Sequence, residues 1–424
     1  MKSGHNSFTR RLIDLSFRNV LRHRRRNLLI GLTLSLCTLL GLTSLVFSHS
    51  VKVQMIQNIV TFLTGHVSIR KAVEGETAAS EQAQVLEPVL DREHLVPVSG
   101  DWLRTLQSSH PGISSVTTRL RFQATVNSGF SSMGVIVSGI DPFEKSPLTA
   151  NLKAEKGLSG LDKPEIMIST TISETLGIEQ GATLTLLCQT VDGSLNALDV
   201  EVVGVYKKTV PWVERVAYVP LGTAQELVQA HGQVSEILCY VDDPSQSGNV
   251  ARSWQTEPMI RQKGLAVRTF QEGGSIFVNF ATGYGLMLAL ANIVILLMVS
   301  FGIANSMMFA VQERKREIGT MRAMGLRSMH ITALFILEGI WLGAIAASLG
   351  AVIGSGVFLA LRGTGLNLGD VAAWILGGSS LHLILKPFDI VIMIGVMVAV
   401  TSLTSLYAGW RTARQLPVDL LRAR

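Results

Sequence analysis

The sequence has little charge for its length. Asp, Glu, Lys and Arg make up 16% of its 424 residues, against about 25% in a typical soluble domain. Aromatic residues are also few, at 6%, whereas hydrophobic residues reach 47%. So little charge does not suit a globule that water covers on every side, and it indicates membrane segments. The apolar content excludes a disordered chain, and the 39 glycines lack the triplet period of collagen.

Several chemical motifs are also missing from the sequence. Three cysteines exclude a disulfide scaffold. The nine histidines are scattered, with no H-x-x-x-H or C-x-x-C pattern that would hold a metal ion. No G-x-x-x-x-G-K-[ST] phosphate loop and no G-x-S-x-G nucleophile motif occurs. The sequence therefore predicts a non-catalytic chain that binds no metal and no nucleotide of its own.

Four long apolar runs are free of Asp, Glu, Lys and Arg, and each reaches the roughly 20 residues that a membrane span needs. They cover residues 27–51, 273–312, 339–361 and 390–410. We predict spans at 27–51, at 273–311 including a preceding surface helix, at 331–361 and at 390–410. A signal peptide is the alternative for the first run, but its 25 residues exceed the 7–15 of a signal core and no A-x-A site follows.

Charge is distributed unevenly between the segments that separate these runs. Residues 1–26, 312–330 and 411–424 together carry a net charge of +13, and the rest of the chain carries −7. Basic segments stay on the cytoplasmic side of a membrane. Both termini are therefore predicted to be cytoplasmic, with residues 52–272 and 362–389 outside. The total of +6 thus reports topology and not a nucleic-acid partner.

The predicted fold class is an α-helical membrane protein with four transmembrane helices, one plus three, and a large extracytoplasmic α+β domain. Within residues 52–272 we expect the first span to continue as a helix that ends at Gly65. Residues 121–126 and 133–140 are predicted to form a hairpin, Gly177 to end a helix, and residues 247–260 to form one helix. Residues 74–94 are acidic and predict a linker. Cys188 and Cys239 lie on predicted strands. The sequence allows either a disulfide bond between them or two unpaired, buried thiols.

Residues 1–26 predict a cytoplasmic amphipathic helix. Leu12, Leu15, Asn19 and Arg22 run along one side of it, and further apolar residues widen the surface. A basic amphipathic helix lies in the membrane interface, where it contacts anionic lipids. A basic arm for nucleic acid is disfavoured because a span begins directly after it.

The loop 312–330 predicts a short amphipathic helix that ends near Gly325; a solvated loop with positive charge is the alternative. Its sequence ERKREIGTMRAMGLRSMHI, followed by LEG, resembles the signature of the MacB/FtsX/LolCE type of ABC-transporter permease. The N-terminal FRNVLRHRRRNLLIGL resembles the same family's entry to its first span. TGHVSI, VSGIDP, SETLGIEQGATLTL and VVGVYKK with AYVPLGTAQEL resemble its outer domain, a MacB-like periplasmic core.

The resemblance implies a permease subunit in the bacterial cytoplasmic (inner) membrane, its large domain periplasmic or extracellular. It implies a dimer with a second permease subunit, identical or different, and with two cytoplasmic ATPase subunits. ATP and magnesium would sit on that partner ATPase. The loop 312–330 would be the coupling helix that docks on it and transmits motion to the outer domain. The residues that occupy this segment are Glu313, Arg314, Arg316, Glu317, Arg322 and Gly325.

The family resemblance also implies a hydrophobic or lipidated substrate, such as a lipoprotein, taken from the outer side of the membrane. Contacts are expected on apolar walls of the first two spans. The candidates are Leu40, Val46, Phe47 and Ile56 on the first, and Phe277, Phe280, Tyr284 and Met287 on the second. One departure from the carrier-binding lipoprotein-releasing subunit is that QTVDGSLNALDVEVVG is short and lacks that subunit's proline, which disfavours direct carrier docking there.

Two other functions share this architecture. One is an FtsX-like signalling scaffold whose outer domain activates a cell-wall hydrolase, although such relatives have a smaller outer domain. The other is a MacB-like efflux permease that works with an adaptor.

Overall fold

A computed structural model of the protein describes residues 14, 16–18, 22, 24–72, 88–141, 147–148, 158, 164–207, 213–313, 315–324, 326–361, 366–367 and 380–413. The chain divides into two compact units. The helical unit comprises Met1–Val51, Gly283–Leu366 and His382–Arg424. The sheet unit comprises Lys52–Thr282 and Asn367–Leu381.

The helices are, in chain order, α1 (Arg24–Ile59), α2 (Gly100–Ser108), α3 (Thr170–Leu176), α4 (Leu221–Val228), α5 (Ser247–Gln255), α6 (Pro258–Gln262), α7 (Phe270–Gly273), α8 (Ser275–Glu313), α9 (Lys315–Ala323), α10 (Ser328–Leu361) and α11 (Pro387–Ala413). The strands are β1 (Val67–Lys71), β2 (Val96–Pro97), β3 (Ile113–Asn127), β4 (Ser132–Asp141), β5 (Glu165–Ser169), β6 (Thr183–Gln189), β7 (Leu195–Tyr206), β8 (Val216–Pro220), β9 (Gln233–Val234), β10 (Glu236–Val241), β11 (Leu265–Thr269), β12 (Leu366–Asn367) and β13 (Ser380–Leu381).

Within the described residues, four helices carry stretches long and apolar enough to cross a membrane. These stretches are Asn27–Thr64 in α1 and the turn after it, Val278–Phe309 in α8, Ser328–Leu361 in α10 and Pro387–Arg411 in α11. Most of α8 is exposed, so its apolar side chains have few protein neighbours. A large sheet is formed by the chain between α1 and α8. The predicted fold class, four spans in a one-plus-three order with a large α+β domain, is confirmed.

Small residues bring α10 and α11 close together. A Cβ atom at Gly339 would lie 2.8 Å from Ser405 Cβ and 2.9 Å from the Thr401 carbonyl oxygen. At Gly343 a Cβ atom would lie 3.2 Å from Thr401 Cβ. Glycine is required at such points because only a hydrogen atom fits between the two backbones. Gly339 and Gly343 therefore belong to the surface of α10 that packs against α11.

The helical unit has a continuous apolar core. Its fully buried side chains include Leu42, Val46 and Met397, contributed by α1 and α11. Asn292 on α8 donates a hydrogen bond of 2.6 Å from Nδ2 to Ser44 Oγ on α1. A polar bond between spans holds them together where lipid offers no competing partner.

The main sheet of the sheet unit has nine strands in the order β11-β1-β10-β3-β4-β8-β5-β7-β6. The predicted hairpin is confirmed as β3 and β4, which pair from Thr118↔Asp141 to Asn127↔Ser132. Its turn contains Gly129 with a φ of +88°, a conformation that glycine adopts without steric cost.

Strand β3 closes part of this sheet into a ring. Its first half pairs with β10, and its second half pairs with β6, from Ala124↔Cys188 to Asn127↔Thr185. Strands β3, β4, β8, β5, β7 and β6 therefore follow one another back to β3. The interior is packed by alternate residues, among them Leu120, Phe122 and Ile168, and α3 and α4 cover the same core.

A second core lies against β1, β10 and β11. It contains Trp102 and Leu106 from α2, and Val250 and Trp254 from α5. Trp254 donates a hydrogen bond of 2.9 Å from Nε1 to Ser109 Oγ, so the buried indole nitrogen is satisfied.

Gly65 and Gly177 end their helices as the sequence predicts. Gly65 has a φ of +63° and follows a π-helical turn, Val60–Thr64, that extends α1. Gly177 ends α3 in the left-handed conformation, with a φ of +65°.

The prediction of a single helix over residues 247–260 is wrong. The chain forms α5 and then α6 because Pro258, at the start of α6, has no backbone N–H to continue the first helix.

Both cysteines of the sheet unit are free thiols. Cys188 belongs to the core inside the ring, whereas Cys239 belongs to the core beneath α2 and α5. Burial raises the pKa of Cys188 to about 11 and that of Cys239 to about 12.

Of the predicted linker 74–94, residues 74–87 lie outside the described residues, and Arg92–His94 form a 3-10 turn. Within residues 362–389, which the sequence predicts to form an outer loop, β12 and β13 form a two-stranded sheet.

Candidate functional site

The loop between the second and third spans contains the predicted short helix, α9. Lys315–Ala323 is helical, and the backbone N–H of Met324 donates to the Thr320 carbonyl oxygen at 3.0 Å. Ile318 is buried and packs against Ile331 and Phe335 at the start of α10, with Met321 beside them. One apolar face therefore anchors α9 to the third span, and the opposite face stays exposed.

The predicted coupling residues fall on or next to this exposed face. Glu313, Arg316 and Glu317 are exposed, and Arg322 is half-buried. Arg314 and Gly325 lie outside the described residues. A charged helix surface held by an apolar anchor suits a contact with another protein, because its exposed charges can meet charges of the partner while the anchor fixes its orientation.

Only a part of the predicted N-terminal helix is described. Residues 16–18 are helical, and the ring of Phe17 lies edge-on to Trp341 of α10, with centroids 5.3 Å apart. Ser16 is fully buried and Arg22 is exposed. Leu12, Leu15 and Asn19 lie outside the described residues.

The substrate candidates on α1 differ in exposure. Leu40 is 49% exposed and Phe47 is half-buried, whereas Val46 is fully buried in the helical core. Ile56 packs in the sheet unit against Val60 and its neighbours. Val46 therefore stabilises the helix packing and presents no open surface.

The candidates on α8 are more open. Phe280 and Met287 are 52% and 66% exposed, and Tyr284 is half-buried. The side chain of Phe277 lies outside the described part of the chain. Large exposed apolar side chains on α8 form a surface suited to lipid, to a second helix or to an acyl chain.

A buried ionic cluster lies where α1 reaches the sheet. Glu236 on β10 accepts hydrogen bonds from Arg119 Nε at 2.7 Å and from Arg70 Nε at 2.8 Å. Glu236, Arg119 and Arg121 are each 5% exposed or less. Burial alone would raise the pKa of Glu236, but the charges of Arg119, Arg70 and Arg121 outweigh it and hold that pKa at about 2. The carboxyl group is therefore ionised throughout the physiological range.

Arg119 also binds the end of the first long helix. Its Nη1 donates a 2.8 Å hydrogen bond to the Phe62 carbonyl oxygen, and its Nη2 donates to that of Leu63. These carbonyls belong to the π-helical turn Val60–Thr64, where the last carbonyls of a helix lack helical partners. Arg119 thus joins β3, β10 and the end of the helix in one set of hydrogen bonds.

His66 forms a second junction beside this cluster. Its carbonyl oxygen accepts from the Phe270 N–H at 3.0 Å, and its Nδ1 accepts from the Val241 N–H at 3.2 Å. Burial lowers the pKa of His66, which favours the neutral ring that this acceptor role requires. The ring lies edge-on to Tyr240 and Phe270. The end of the first long helix and the start of α7 are therefore tied to the same strands.

Neither the ionic cluster around Glu236 nor His66 is among the site residues that the sequence predicts. Arg119 and Arg121 alternate with Leu120 and Phe122 along β3, and both faces of the strand are buried there. Arginines at alternate positions of an apolar strand are a signal of buried ion pairing. Their partner Glu236 lies 117 positions away from Arg119, so its identity depends on the sheet order. Within the described residues, no group of three or more His, Cys, Asp or Glu side chains is arranged to hold a metal ion.

Comparison with known proteins places the chain in a family. Residues 289–417 match the family model FtsX-like permease C-terminal. The lipoprotein-releasing system transmembrane protein LolE of Haemophilus influenzae is 22% identical over 336 residues, which cover 74% of this chain and 78% of LolE. LolC of Neisseria meningitidis is 21% identical over 351 residues, covering 76% of this chain and 81% of LolC.

A further relative is longer than this chain. The macrolide export ATP-binding/permease protein MacB of Wolinella succinogenes is 29% identical over 153 residues, which cover 35% of this chain and 24% of MacB. The match thus spans most of the length of LolE and LolC and about a quarter of MacB. Together with the four apolar helices and the domain between the first two, these similarities identify the chain as a membrane permease. The chain is an ABC-transporter permease of the MacB/FtsX/LolCE type.

Proposed function

We propose that the protein is the permease subunit of an ABC transporter that extracts a lipidated substrate, such as a lipoprotein, from the outer leaflet of the cytoplasmic membrane. A separate cytoplasmic ATPase supplies the energy, and a second permease subunit completes the transporter. The chain itself catalyses no reaction. Both termini and α9 face the cytoplasm, and the sheet unit faces the periplasm or the exterior, in agreement with the basic charge of the segments next to α9 and α11.

The observation that carries this proposal is the surface of α9. It is short, charged and exposed, and it is fixed to the start of α10 by Ile318, Ile331 and Phe335. A displacement of α9 is therefore transmitted directly to α10 through this contact. We infer that α9 docks on the ATPase and that Glu317 and Arg316, both exposed, form the charged part of this contact.

The path from the membrane helices to the sheet unit supports a mechanical role. Helix α1 runs from Arg24 to Ile59 and ends in the turn that Arg119 binds. The capping box of Thr269 and Glu272 begins α7, directly before α8. Stiff helices that end in fixed hydrogen bonds transmit displacement, whereas flexible linkers absorb it.

The lipidated substrate is supported by the share of the relatives' own lengths that this chain matches. LolE and LolC, whose names state lipoprotein release, are matched over 78% and 81% of their lengths. MacB of Syntrophobacter fumaroxidans matches over 65% of this chain, but that match covers only 37% of MacB. Exposed apolar side chains on α8, such as Phe280 and Met287, offer a surface for acyl chains. Efflux with an adaptor remains the second candidate, supported by the MacB similarity itself, and an FtsX-like activator of a cell-wall hydrolase is the third.

Release from vesicles tests the proposed substrate. The full chain is reconstituted with its ATPase and second subunit in vesicles that hold a triacylated lipoprotein. We expect ATP to release the lipoprotein into the soluble fraction together with a soluble lipoprotein carrier. The matched control is the same protein fused to a transmembrane helix in place of its acyl chains, which should stay in the membrane. Macrolide transport without lipoprotein release would contradict the proposal.

A further inference from the structure

A groove runs between α8 and α11 on the surface of the helical unit. Its volume is about 510 Å³. Leu297, Phe301 and Leu403 form apolar walls, and Asn305, Tyr407 and Arg411 add polar groups. None of the residues that line it is acidic. Phe301, Leu403 and Tyr407 are each at least half exposed, so the groove opens to the surroundings of the spans.

The length of the groove corresponds to one leaflet of a bilayer. On α11 its lining residues recur every three or four positions, from Val400 through Leu403 and Tyr407 to Arg411, and therefore form one stripe. With a rise of 1.5 Å per residue, this stripe is about 16 Å long. Half of the hydrocarbon core of a membrane is about 15 Å thick. The whole groove, from its apolar end to Arg411, thus matches the depth of one leaflet.

Ser300 and Thr404 also line the groove, but their hydroxyl groups donate to backbone carbonyl oxygens of their own helices. The other polar side chains lie toward one end of the groove. Arg411 and Tyr407 lie one turn apart on α11, and Arg411 is exposed. In the described part of the chain, neither Arg411, Tyr407 nor Asn305 makes a hydrogen bond or an ion pair through its side chain. An arginine beside a hydroxyl group at the edge of the apolar region is suited to a phosphate, which the planar guanidinium binds through two parallel hydrogen bonds.

We propose that this groove binds one anionic phospholipid of the cytoplasmic leaflet. Its acyl chain lies along Leu297, Phe301 and Leu403, and its phosphate binds Arg411 and Tyr407. A second copy of the chain is a poorer occupant, because a symmetric contact would place two Arg411 side chains in one interface whose lining offers no acidic residue. Only the choice of leaflet rests on the proposed orientation of the permease.

Native mass spectrometry of lipids retained by the purified protein tests this site. The full chain in detergent is mixed with equal amounts of phosphatidylglycerol and phosphatidylcholine that carry the same acyl chains. We expect preferential retention of one phosphatidylglycerol. Arg411→Gln should weaken its binding by about fivefold or more, as expected for a hydrogen-bonded charge. The matched control is Arg327→Gln, which removes an exposed cytoplasmic arginine outside the groove and should retain lipid as the unaltered chain does.

A second variant separates the apolar contact from the charge. Ala304 lines the groove, and Ala304→Trp should reduce retention of both lipids. Equal retention of phosphatidylglycerol by Arg411→Gln and the unaltered chain would overturn the proposal. So would oxidative cross-linking of two chains through Leu403→Cys, because a second copy would then cover the groove. Neither measurement involves the ATPase or the transported substrate, so a failure here is distinct from a failure of the proposed function.

Discussion

The ionic cluster around Glu236 is the part of the molecule where single side chains matter most. Glu236 and Arg119 are each 2% exposed, and Arg121 is 5% exposed. Taking charges out of water is costly, and removing one partner of such a cluster typically costs about 3–5 kcal/mol because the remaining charge stays buried and uncompensated. The cluster also supplies the hydrogen bonds to the Phe62 and Leu63 carbonyl oxygens. Its integrity therefore affects both the sheet and the end of α1.

The pKa of Glu236 predicts how stability depends on pH. That pKa is about 2 in the folded protein, below the ordinary value of 4.5. A carboxyl group with a lowered pKa contributes stability that is present above its ordinary pKa and lost as the pH falls toward its folded pKa. We expect the melting temperature of the full chain in detergent to decline from pH 4.5 toward pH 2 through this group.

The comparison with Glu236→Gln isolates this contribution. The variant should melt at a lower temperature at pH 7 and should lose less stability than the unaltered chain on acidification. Glu226→Gln, which alters an exposed acid on α4, is the matched control and should follow the unaltered chain. If the melting curves of Glu236→Gln and the unaltered chain shift in parallel below pH 4.5, Glu236 does not have the low pKa.

The residue scale shows which features of the site a sequence can predict. The helix that contains Arg316 and Glu317 can be predicted from the sequence, because its charge pattern lies within nine consecutive residues. The bond between Arg119 and Glu236 joins positions 117 apart. Nothing local specifies that pairing, because it follows from the adjacency of β3 and β10 in the sheet.

Among the elements, α10 and α11 form an extensive contact between spans. Gly339 and Gly343 face Thr401 and Ser405, so each helix presents small residues to the other. In a membrane, packing and hydrogen bonding hold helices together because lipid is as apolar as the helix surface. A methyl group inserted at this contact has no space to occupy.

Two glycines of α10 provide a matched comparison. A Cβ atom at Gly339 would lie 2.9 Å from the backbone oxygen of Thr401, whereas nothing lies within 4 Å of one at Gly356. We expect Gly339→Ala to destabilise the protein by about 1–3 kcal/mol through overpacking. Gly356→Ala should be neutral or slightly stabilising, because alanine favours a helix over glycine.

Thermal unfolding of the two variants in the same detergent measures this difference. The expected result is a lower melting temperature for Gly339→Ala alone. Equal melting temperatures of the two variants would mean that α10 and α11 are not in contact at Gly339.

The exposed face of α9 predicts an uncoupled variant. Glu317 is exposed, and the anchor of α9 is formed by other residues, chiefly Ile318. Glu317→Arg should therefore insert and fold normally, while ATP hydrolysis by the complex no longer drives substrate release. Like charges placed across an interface weaken it, by several kcal/mol in unfavourable cases. Hydrolysis and release are measured together in reconstituted vesicles.

The matched control for this variant carries the same charge reversal in the sheet unit. Glu174 is exposed on α3, away from any expected ATPase contact, and Glu174→Arg should leave hydrolysis and release coupled. Coupled release by Glu317→Arg would remove α9 from the proposed mechanism.

Elements were easier to predict than their associations. The spans are visible as uncharged runs, and Gly65 and Gly177 mark helix ends because each adopts a positive φ. The one wrong helix, at 247–260, contains Pro258. Proline lacks the backbone N–H that a continuous helix needs at this position. The helical periodicity of the surrounding residues does not compensate for that loss.

For the whole molecule, the ring of strands was not visible in the sequence. An alternating pattern predicts strands β3, β4 and β6 one by one, but the closure depends on β3 being long enough to pair with both β10 and β6. Such pairings join segments far apart in the chain, and strand alternation carries no information about them. The overall class can be predicted because each of the four spans contains one long, continuous run of apolar residues.

The proposed function requires that motion begins at α9 and reaches the sheet unit through α1 and α8. Double electron–electron resonance on the reconstituted transporter, with one spin label on the sheet unit of each permease subunit, tests this requirement. Phe130→Cys is a suitable label site because Phe130 is fully exposed at the tip of the β3–β4 hairpin. A non-hydrolysable ATP analogue should shift the distance distribution, and Glu317→Arg should abolish that shift without changing the nucleotide-free distribution. No shift with the analogue, or the same shift in Glu317→Arg, would show that motion does not pass from α9 to the sheet unit.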